Sequence, residues 1–245
     1  MNRARFLRVV APMPRVAGLA AVLLLGLPLR PPTGLLVPVA GPAIARAQDG
    51  DRQAPPSVDA VLARMARIPG LRCRYREERR IALLSSPVVS EGTIDYARGD
   101  SGAASARMAR RTTRPSAQVV LIDRGELRMS DGRTTSRIDL AGQPVVRSFV
   151  DSFLQLLVGD RASLERTYAL SVEAAAGGWA LVLRPRGAPL SGFLREIRFE
   201  GRGDALARMV MTEVSGDVTT TTFSEVDPGR RYGAEEAARA FSLTP

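Results

Sequence analysis

The chain contains no histidine and no lysine, and its 245 residues include a single cysteine. Without histidine, Ser-His-Asp and Cys-His catalytic groups and the common zinc motifs are excluded. One cysteine also excludes a disulfide within the chain. We therefore expect a fold that is stable through packing alone, and we expect no metal, no cofactor and no enzymatic activity.

Acidic residues are missing from residues 1–47, which carry six arginines. An apolar run at 16–29 follows the basic start and is too short to span a bilayer comfortably. Ala45-Arg46-Ala47 fits the small-x-small pattern of a cleavage site. We predict a secretory signal peptide over 1–47, beginning at Met1 or Met13 and cleaved near Ala47; the alternative is an uncleaved anchor.

Removal of this segment changes the charge balance of the chain. The remainder holds 29 basic and 25 acidic residues, a net charge of +4. A nucleic-acid partner requires a denser basic surface than this and is not expected in an exported protein. We predict a polar linker over 48–56 and one domain over 57–245, which is long enough for a core.

The stretch 71–99 alternates strictly between apolar and polar residues. Leu71, Cys73 and Tyr75 point to one face, and the three arginines between and after them point to the other. A polar, solvent-exposed outer face indicates an antiparallel sheet that is not sandwiched between helix layers. A second strand resumes at Val88, after a turn at 85–87, and a further turn is predicted over 100–105 (DSGAAS). Many short strands with turn signals follow, which indicates a strongly curved sheet or barrel.

Two segments have the three- and four-residue apolar spacing of helices. They are 57–68, which begins at a capping Ser57, and 145–158, which Gly159 ends. A short helix at 161–167 and a helical tail at 234–241 complete the prediction. Since no second apolar sheet is visible, we expect helices to cover the concave side of the sheet.

Few side chains suggest a reaction. Cys73 lies between two arginines, which favours a thiolate, but on a strand those arginines face away from the sulfur, so we predict a buried, inert thiol. The neighbours Glu77-Glu78 and Glu235-Glu236 need not face one another, and we predict solvated surface charges. An enzyme that uses Glu77 and Glu78 is the alternative.

An exported domain with a curved apolar sheet face fits a lipid-binding cavity. Each buried methylene contributes ~0.8 kcal/mol, so keeping a ~16-carbon acyl chain in water costs on the order of 10 kcal/mol. Nine residues are predicted walls on this ground, against the alternative that they form an ordinary closed core: Phe149, Phe153, Leu156, Leu157, Trp179, Leu181, Leu183, Met209 and Met211.

Several segments together resemble one protein family. They are 75–79 (YREER), 83–87 (LLSSP), 90–98 (SEGTIDYAR), 121–127 (LIDRGEL), 153–160 (FLQLLVGD), 179–185 (WALVLRP) and 215–223 (SGDVTTTTF). In this order and spacing, over residues 57–226, they resemble the outer-membrane lipoprotein carrier (LolA) family, of which the chain would be a divergent member.

The resemblance implies a fold and a site. The expected fold is mainly β with helices: a half-open, incomplete β-barrel of about 11 antiparallel strands, covered by a helical lid over an apolar cavity. In the family an Arg-Pro turn after the second strand bonds to the lid backbone; Arg98 is the matching lid latch, with Gly99 in the place of proline. The remaining predicted cavity residues are Tyr75, Leu83, Ile94, Tyr96, Val120, Ile122, Leu127, Met129 and Phe223.

The resemblance also implies a function. It is that of a soluble, monomeric periplasmic carrier of lipid-modified proteins or other lipids. Its partners would be an inner-membrane ABC-type (LolCDE-like) or other lipid exporter and an outer-membrane acceptor. The alternatives are an accessory lipid-binding protein of a lipid, glycolipid or pigment exporter, and an outer-membrane acceptor or sensor of the same fold. An acceptor lipoprotein needs a cysteine directly after the signal peptide, whereas Cys73 lies inside the domain.

Overall fold

In the computed structural model, the described residues are 56–175, 177–203 and 205–245. The predicted signal peptide at 1–47 and the predicted linker at 48–56, except for Pro56, lie outside them.

The described residues form one antiparallel sheet of eleven strands in the order β6-β5-β4-β3-β2-β1-β11-β10-β9-β8-β7. β1 is central and pairs with β2 and β11, whereas β6 and β7 are the two edges and do not pair with each other. The sheet is therefore open, as predicted. Its strands are β1 (Gly70–Arg80), β2 (Val88–Gly99), β3 (Gly102–Arg114), β4 (Gln118–Asp123), β5 (Glu126–Ser130), β6 (Thr135–Ile138), β7 (Tyr168–Ala175), β8 (Gly178–Pro185), β9 (Leu194–Arg202), β10 (Ala205–Glu213) and β11 (Val218–Asp227).

The alternation in β1 sets the two faces of the sheet. Leu71, Cys73 and Tyr75 are buried, while the arginines at 72, 74 and 76 are exposed. Successive side chains of a strand point to opposite faces, so the buried set defines an inner face and the arginines an outer face. The predicted alternation is confirmed.

One predicted turn is too long. The sequence favoured a turn over 100–105, but Gly99 already pairs with Gly102, which leaves a turn of two residues. Gly102 adopts φ +66°, a left-handed conformation that glycine takes without steric cost, and the Ser105 hydroxyl accepts a hydrogen bond from the Ser101 N–H. These local features let β3 begin earlier than the pattern indicated.

Four α-helices of the described residues accompany the sheet: α1 (Val58–Ala66), α2 (Pro144–Val158), α3 (Arg161–Thr167) and α4 (Ala234–Ala240). The Ser57 hydroxyl caps α1 by accepting a hydrogen bond from the Ala60 N–H at 3.1 Å. α2 and α3 connect edge strand β6 to edge strand β7, and the apolar side chains of α1 and α2 join one core with those of the inner face. The helices therefore cover the inner face.

Gly159 brings the two covering helices together. It ends α2 at φ +75°, and a Cβ at this position would lie 2.5 Å from the Leu62 carbonyl oxygen of α1. Both the left-handed backbone and the close approach require glycine.

The C-terminal helix α4 packs on the outer face instead. Ala237, Ala240 and Phe241 contact Ala109 of β3 and Leu121 of β4. The Arg111 guanidinium of β3 donates hydrogen bonds to the carbonyl oxygens of Ala240 at 2.6 Å and of Arg239 and Ser242 at 3.0 Å. A cation at a helix C-terminus is stabilising, so α4 is held to the back of the sheet by its end as well as its side.

Cys73 offers a first test of the core. Its side chain is 2% exposed, and burial, with a smaller contribution from Asp95, raises the pKa of its thiol to about 12. At about pH 8 only roughly one thiol in 10,000 is then ionised. We expect iodoacetamide to leave Cys73 unmodified in the folded protein and to modify it after unfolding in guanidinium chloride, as read by intact mass. Rapid modification of the folded protein would contradict the buried placement.

Candidate functional site

The inner face is a continuous apolar layer. Cross-strand pairs extend this layer from one strand to the next: Tyr75 of β1 lies opposite Phe223 of β11, and Tyr96 of β2 lies opposite Met108 of β3. Seventeen of the eighteen predicted cavity residues belong to this one cluster, either on the sheet or on α2: Tyr75, Ile94, Tyr96, Val120, Ile122, Leu127, Met129, Phe149, Phe153, Leu156, Leu157, Trp179, Leu181, Leu183, Met209, Met211 and Phe223.

Leu83 was wrongly placed in this set. Its side chain is 94% exposed, because β1 ends at Arg80 and the chain then leaves the inner face. The Ala82 N–H donates a hydrogen bond to the Asp217 carboxylate at 3.0 Å, which holds the β1–β2 connection beside the β10–β11 turn. Leu83 therefore lies outside the apolar layer.

The lid formed by α1 and α2 rests directly on the apolar layer. The rings of Phe153 on α2 and Phe199 on β9 lie 6.2 Å apart. Beside them a crevice of about 190 Å³ runs between α2 and strands β8 and β9. It is too narrow to admit a water molecule, so α2 packs closely against the sheet here. Its lining residues are Phe149, Ser152, Phe153, Leu183, Ile197 and Phe199.

Arg98, near the end of β2, connects the sheet to both lid helices. Its Nη2 donates to the Met65 carbonyl oxygen at 2.9 Å in the last turn of α1, and its Nε donates to that of Ile68 at 2.8 Å, two residues beyond this helix. Nη2 also donates to the Leu157 carbonyl oxygen at 2.9 Å, and Nη1 to that of Val158 at 3.4 Å, at the end of α2. Carbonyl groups at a helix C-terminus have no partner within the helix and carry partial negative charge, so a guanidinium with five donors suits this position. Gly99 follows in place of proline without disturbing this contact.

A second feature of the inner face was missed by sequence reasoning. Buried polar residues gather at the end of the face that carries the β1–β2 and β10–β11 turns. We call seven of them the inner polar cluster: Glu77, Arg79, Ser90, Arg110, Glu213, Thr219 and Thr221. The prediction of solvated charges at Glu77-Glu78 is wrong for Glu77, which is 4% exposed. Glu77 continues the alternation of Leu71, Cys73 and Tyr75, and this parity was the available signal.

Glu77 is the centre of the cluster. One carboxylate oxygen accepts hydrogen bonds from Arg110 Nη2 at 3.1 Å and from the Ser90 hydroxyl at 3.3 Å. The other accepts from the Thr221 hydroxyl at 3.1 Å. The Arg110 guanidinium also lies 4.3 Å from the centroid of the Tyr75 ring. Buried charges are tolerated when they are paired and hydrogen-bonded, as Glu77 is.

Arg79 forms the second ion pair. Its Nη2 lies 3.4 Å from the Glu213 carboxylate and 3.6 Å from that of Asp217. Burial raises the pKa of Glu213 above its ordinary value; the charge of Arg79 opposes this rise and that of Asp217 adds to it. The two ion pairs link β1 to β3 on one side and to β10 on the other.

Comparison with protein families decides the relationship of the chain. A family model described as outer membrane lipoprotein carrier protein LolA-like matches residues 52–240. The chain belongs to the LolA-like family. Comparison with curated proteins yields no match.

The chain is also similar to several solved structures, at low sequence identity. The MucA/MucB complex of Pseudomonas aeruginosa is 15% identical, with 73% of this chain and 59% of that chain covered and a TM-score of 0.46. A LolA superfamily protein of Nitrosomonas europaea is 11% identical, with 76% and 97% covered and a TM-score of 0.40. The lipoprotein LppX of Mycobacterium tuberculosis is 10% identical, with 70% and 97% covered and a TM-score of 0.34. This chain thus spans about three fifths of the MucB-type chain it matches.

Two further findings concern the described part of this LolA-like chain. None of its helices has the length and hydropathy of a membrane span. It also holds no group of three or more Cys, Asp or Glu side chains placed to bind a metal ion.

The buried ion pair between Glu77 and Arg110 can be tested by removing one partner or both. Arg110→Met leaves the Glu77 carboxylate buried without its cation, so we expect the free energy of unfolding to fall by about 3–5 kcal/mol. The double variant Glu77→Leu/Arg110→Met removes both charges and should be more stable than Arg110→Met alone. Urea denaturation measures both differences.

Arg76→Met is the matched control for this cycle, since Arg76 pairs with Glu91 on the outer face and is half exposed. We expect little change in the free energy of unfolding there. An Arg110→Met protein as stable as the control would show that the inner ion pair is not buried as described.

Proposed function

We propose that this LolA-like protein is a periplasmic carrier that shelters the acyl chains of lipid-modified proteins or other lipids between its curved sheet and its lid. One observation supports this most directly: the inner face is apolar across the sheet and is covered by helices, not by a second sheet. Methylene groups gain ~0.8 kcal/mol each on leaving water, and the inner face offers the surface on which they can do so.

The lid supplies a way to open and close. In the closed arrangement Phe149, Leu156 and Leu157 of α2 occupy the place that an acyl chain would take. Apolar contacts are non-directional, so acyl chains can replace lid side chains at little net cost. The directional contacts of the lid include one hydrogen bond from Arg64 of α1 to the Gly203 carbonyl oxygen and the four of Arg98, which we propose as the lid latch.

The wider pathway follows from the same proposal. The signal peptide predicted over 1–47 would export the chain to the periplasm, where an inner-membrane ABC-type (LolCDE-like) or other lipid exporter would load it. An outer-membrane acceptor would then receive the cargo. A carrier of this kind can act as a monomer, because the apolar layer and the lid come from one chain.

The latch can be tested with Arg98→Leu. Loss of its hydrogen bonds to four carbonyl groups should make lid closure less favourable by about 2–3 kcal/mol, because hydrogen bonds to charged groups contribute this much. We expect the variant to bind the apolar dye ANS several-fold more strongly than the parent protein. Arg98→Lys keeps the charge but has only three donors, so an intermediate result is expected.

Arg74→Leu serves as the control for the latch, because Arg74 lies on the outer face of the adjacent strand β1 and is largely exposed. It should bind ANS as the parent protein does. If Arg98→Leu also behaves like the parent protein, Arg98 is not a latch.

Lipid binding itself is tested with the protein purified from the periplasm. We expect native mass spectrometry to find bound lipid. We also expect a fluorescent fatty acid of about 16 carbons to bind to the protein. Phe153→Glu places a charge in the crevice between α2 and β9 and should weaken fatty-acid binding about tenfold or more. Leu83→Glu, at an exposed position outside the apolar layer, should leave binding unchanged; protein that never carries lipid and never binds the probe would exclude the carrier function.

A further inference from the structure

The inner face is divided into an apolar part and a polar part. Along β1 the inward side chains change from apolar to polar between Tyr75 and Glu77, and along β11 they change between Phe223 and Thr221. On β10 the change falls between Met211 and Glu213. The boundary runs obliquely across the strands, since Met211 of β10 lies opposite Thr219 of β11. On each of these strands the polar part lies toward the same end of the sheet.

Tyr75 stands on this boundary. Its ring contacts Arg110 of the inner polar cluster, and its hydroxyl forms a hydrogen bond of 2.7 Å with the Thr112 hydroxyl. One edge of the tyrosine thus meets polar groups, while its body belongs to the apolar layer. The interior has the same division as an amphiphile, which carries a polar head at one end of apolar chains.

The inner polar cluster has unused hydrogen-bonding capacity. Arg79 Nε, Arg110 Nη1 and the Thr219 hydroxyl are buried and find no hydrogen-bond partner among the described residues. The exposed fractions of Arg79, Arg110 and Thr219 are 8%, 3% and 1%. Buried polar groups in native proteins are nearly always paired, with protein, water or ligand, so these three atoms call for partners beyond those that the described residues supply.

The charges indicate what kind of acceptor fits. Arg79 and Arg110 are each already matched by carboxylates, and the carboxylates of Glu77, Glu213 and Asp217 outnumber them. An anionic group would meet this excess of negative charge. A hydroxyl group both donates and accepts, so an uncharged group with several hydroxyls can satisfy arginine, threonine and carboxylate together.

We propose that the inner polar cluster binds the uncharged, hydroxyl-bearing head group of an amphiphile, a sugar or glycerol, whose chains lie on the apolar part of the inner face. The proposal rests on the proposed carrier function and specifies the class of its cargo. The site is reached when the lid opens, and the head group then completes the hydrogen bonds of Arg79, Arg110 and Thr219.

The test compares three probes that share an apolar chain of about 12 carbons and differ in their head groups. Dodecyl maltoside carries a sugar head, 1-lauroylglycerol a glycerol head and dodecylphosphocholine a phosphate-bearing head. Each probe is titrated against a fluorescent fatty acid bound to the periplasmic protein. The displacement curve gives the affinity of the probe. We expect the sugar or the glycerol probe to bind at least several-fold more tightly than dodecylphosphocholine, and the stronger of the two identifies the head group.

Thr219→Val tests the role of the cluster without disturbing the fold. The valine has the shape of threonine and removes a hydroxyl that has no partner among the described residues, so the melting temperature should stay the same or rise. Affinity for the preferred probe should fall about 2- to 10-fold, the equivalent of one hydrogen bond, while that for dodecylphosphocholine stays constant. Thr219→Ser keeps the hydroxyl and should keep the affinity, and Thr220→Val, on the other face of β11, is the matched control.

The outcomes separate this inference from the carrier function. If all three probes bind equally and Thr219→Val changes nothing, the cluster holds only ordered water, and the head-group proposal is wrong while the carrier function stands. If none of the probes displaces the fatty acid and the fatty acid itself does not bind, the carrier function fails. Tighter binding of dodecylphosphocholine than of the other two would also overturn the proposal.

Discussion

An open sheet with an apolar inner face has to be covered, and this constraint governs the rest of the structure. Strands β6 and β7 are the edges of the sheet and do not pair with each other. The chain that runs between them contains α2 and α3, so the connection between the edges is also the cover of the face. Had the edges paired, the barrel would have closed on its own core. Because they do not, the cover is a separate element that takes no part in the strand pairing of the sheet.

The attachment of the lid divides into two kinds of interaction. Apolar contacts between α2 and the sheet supply most of the contact area, but they are non-directional and any apolar group of suitable size can replace them. The hydrogen bonds of Arg98 are directional and join the ends of α1 and α2 to β2 through one guanidinium. Few directional contacts therefore hold the lid to the sheet besides those of Arg98; one is the hydrogen bond from Arg64 of α1 to the Gly203 carbonyl oxygen. This separation suits the proposed carrier function, which requires loading and unloading.

Much of this arrangement could be predicted from the sequence, because strand alternation is a local property. The parity of Leu71, Cys73 and Tyr75 identified the inner face. The other residues of the apolar layer were predicted from apolar segments of the strands and of α2 together with the family resemblance. The placement of Leu83 in the cavity was wrong because alternation does not mark where a strand ends. Arg98 was found through the family resemblance, since nothing in its immediate neighbours indicates which carbonyl groups it will meet.

The inner polar cluster was missed for a different reason. The adjacency of Glu77 and Glu78 suggested a pair of surface charges, whereas parity alone places them on opposite faces. The partner of Glu77 is Arg110, which lies 33 residues away on β3 and has no local signal that it points inward. Long-range pairing of charges depends on strand register, and register was not part of the sequence pattern.

The inner polar cluster also bears on the function of the inner face. Buried ion pairs are weak evidence for stability, because apolar residues of similar size often stabilise a core as well or better. The cluster retains two such pairs and leaves buried donors open on Arg79 and Arg110. A face that only had to pack against a lid would gain from apolar residues at these positions. A face that receives an amphiphile gains from both kinds of residue, placed at the two ends where the molecule's chains and head would lie.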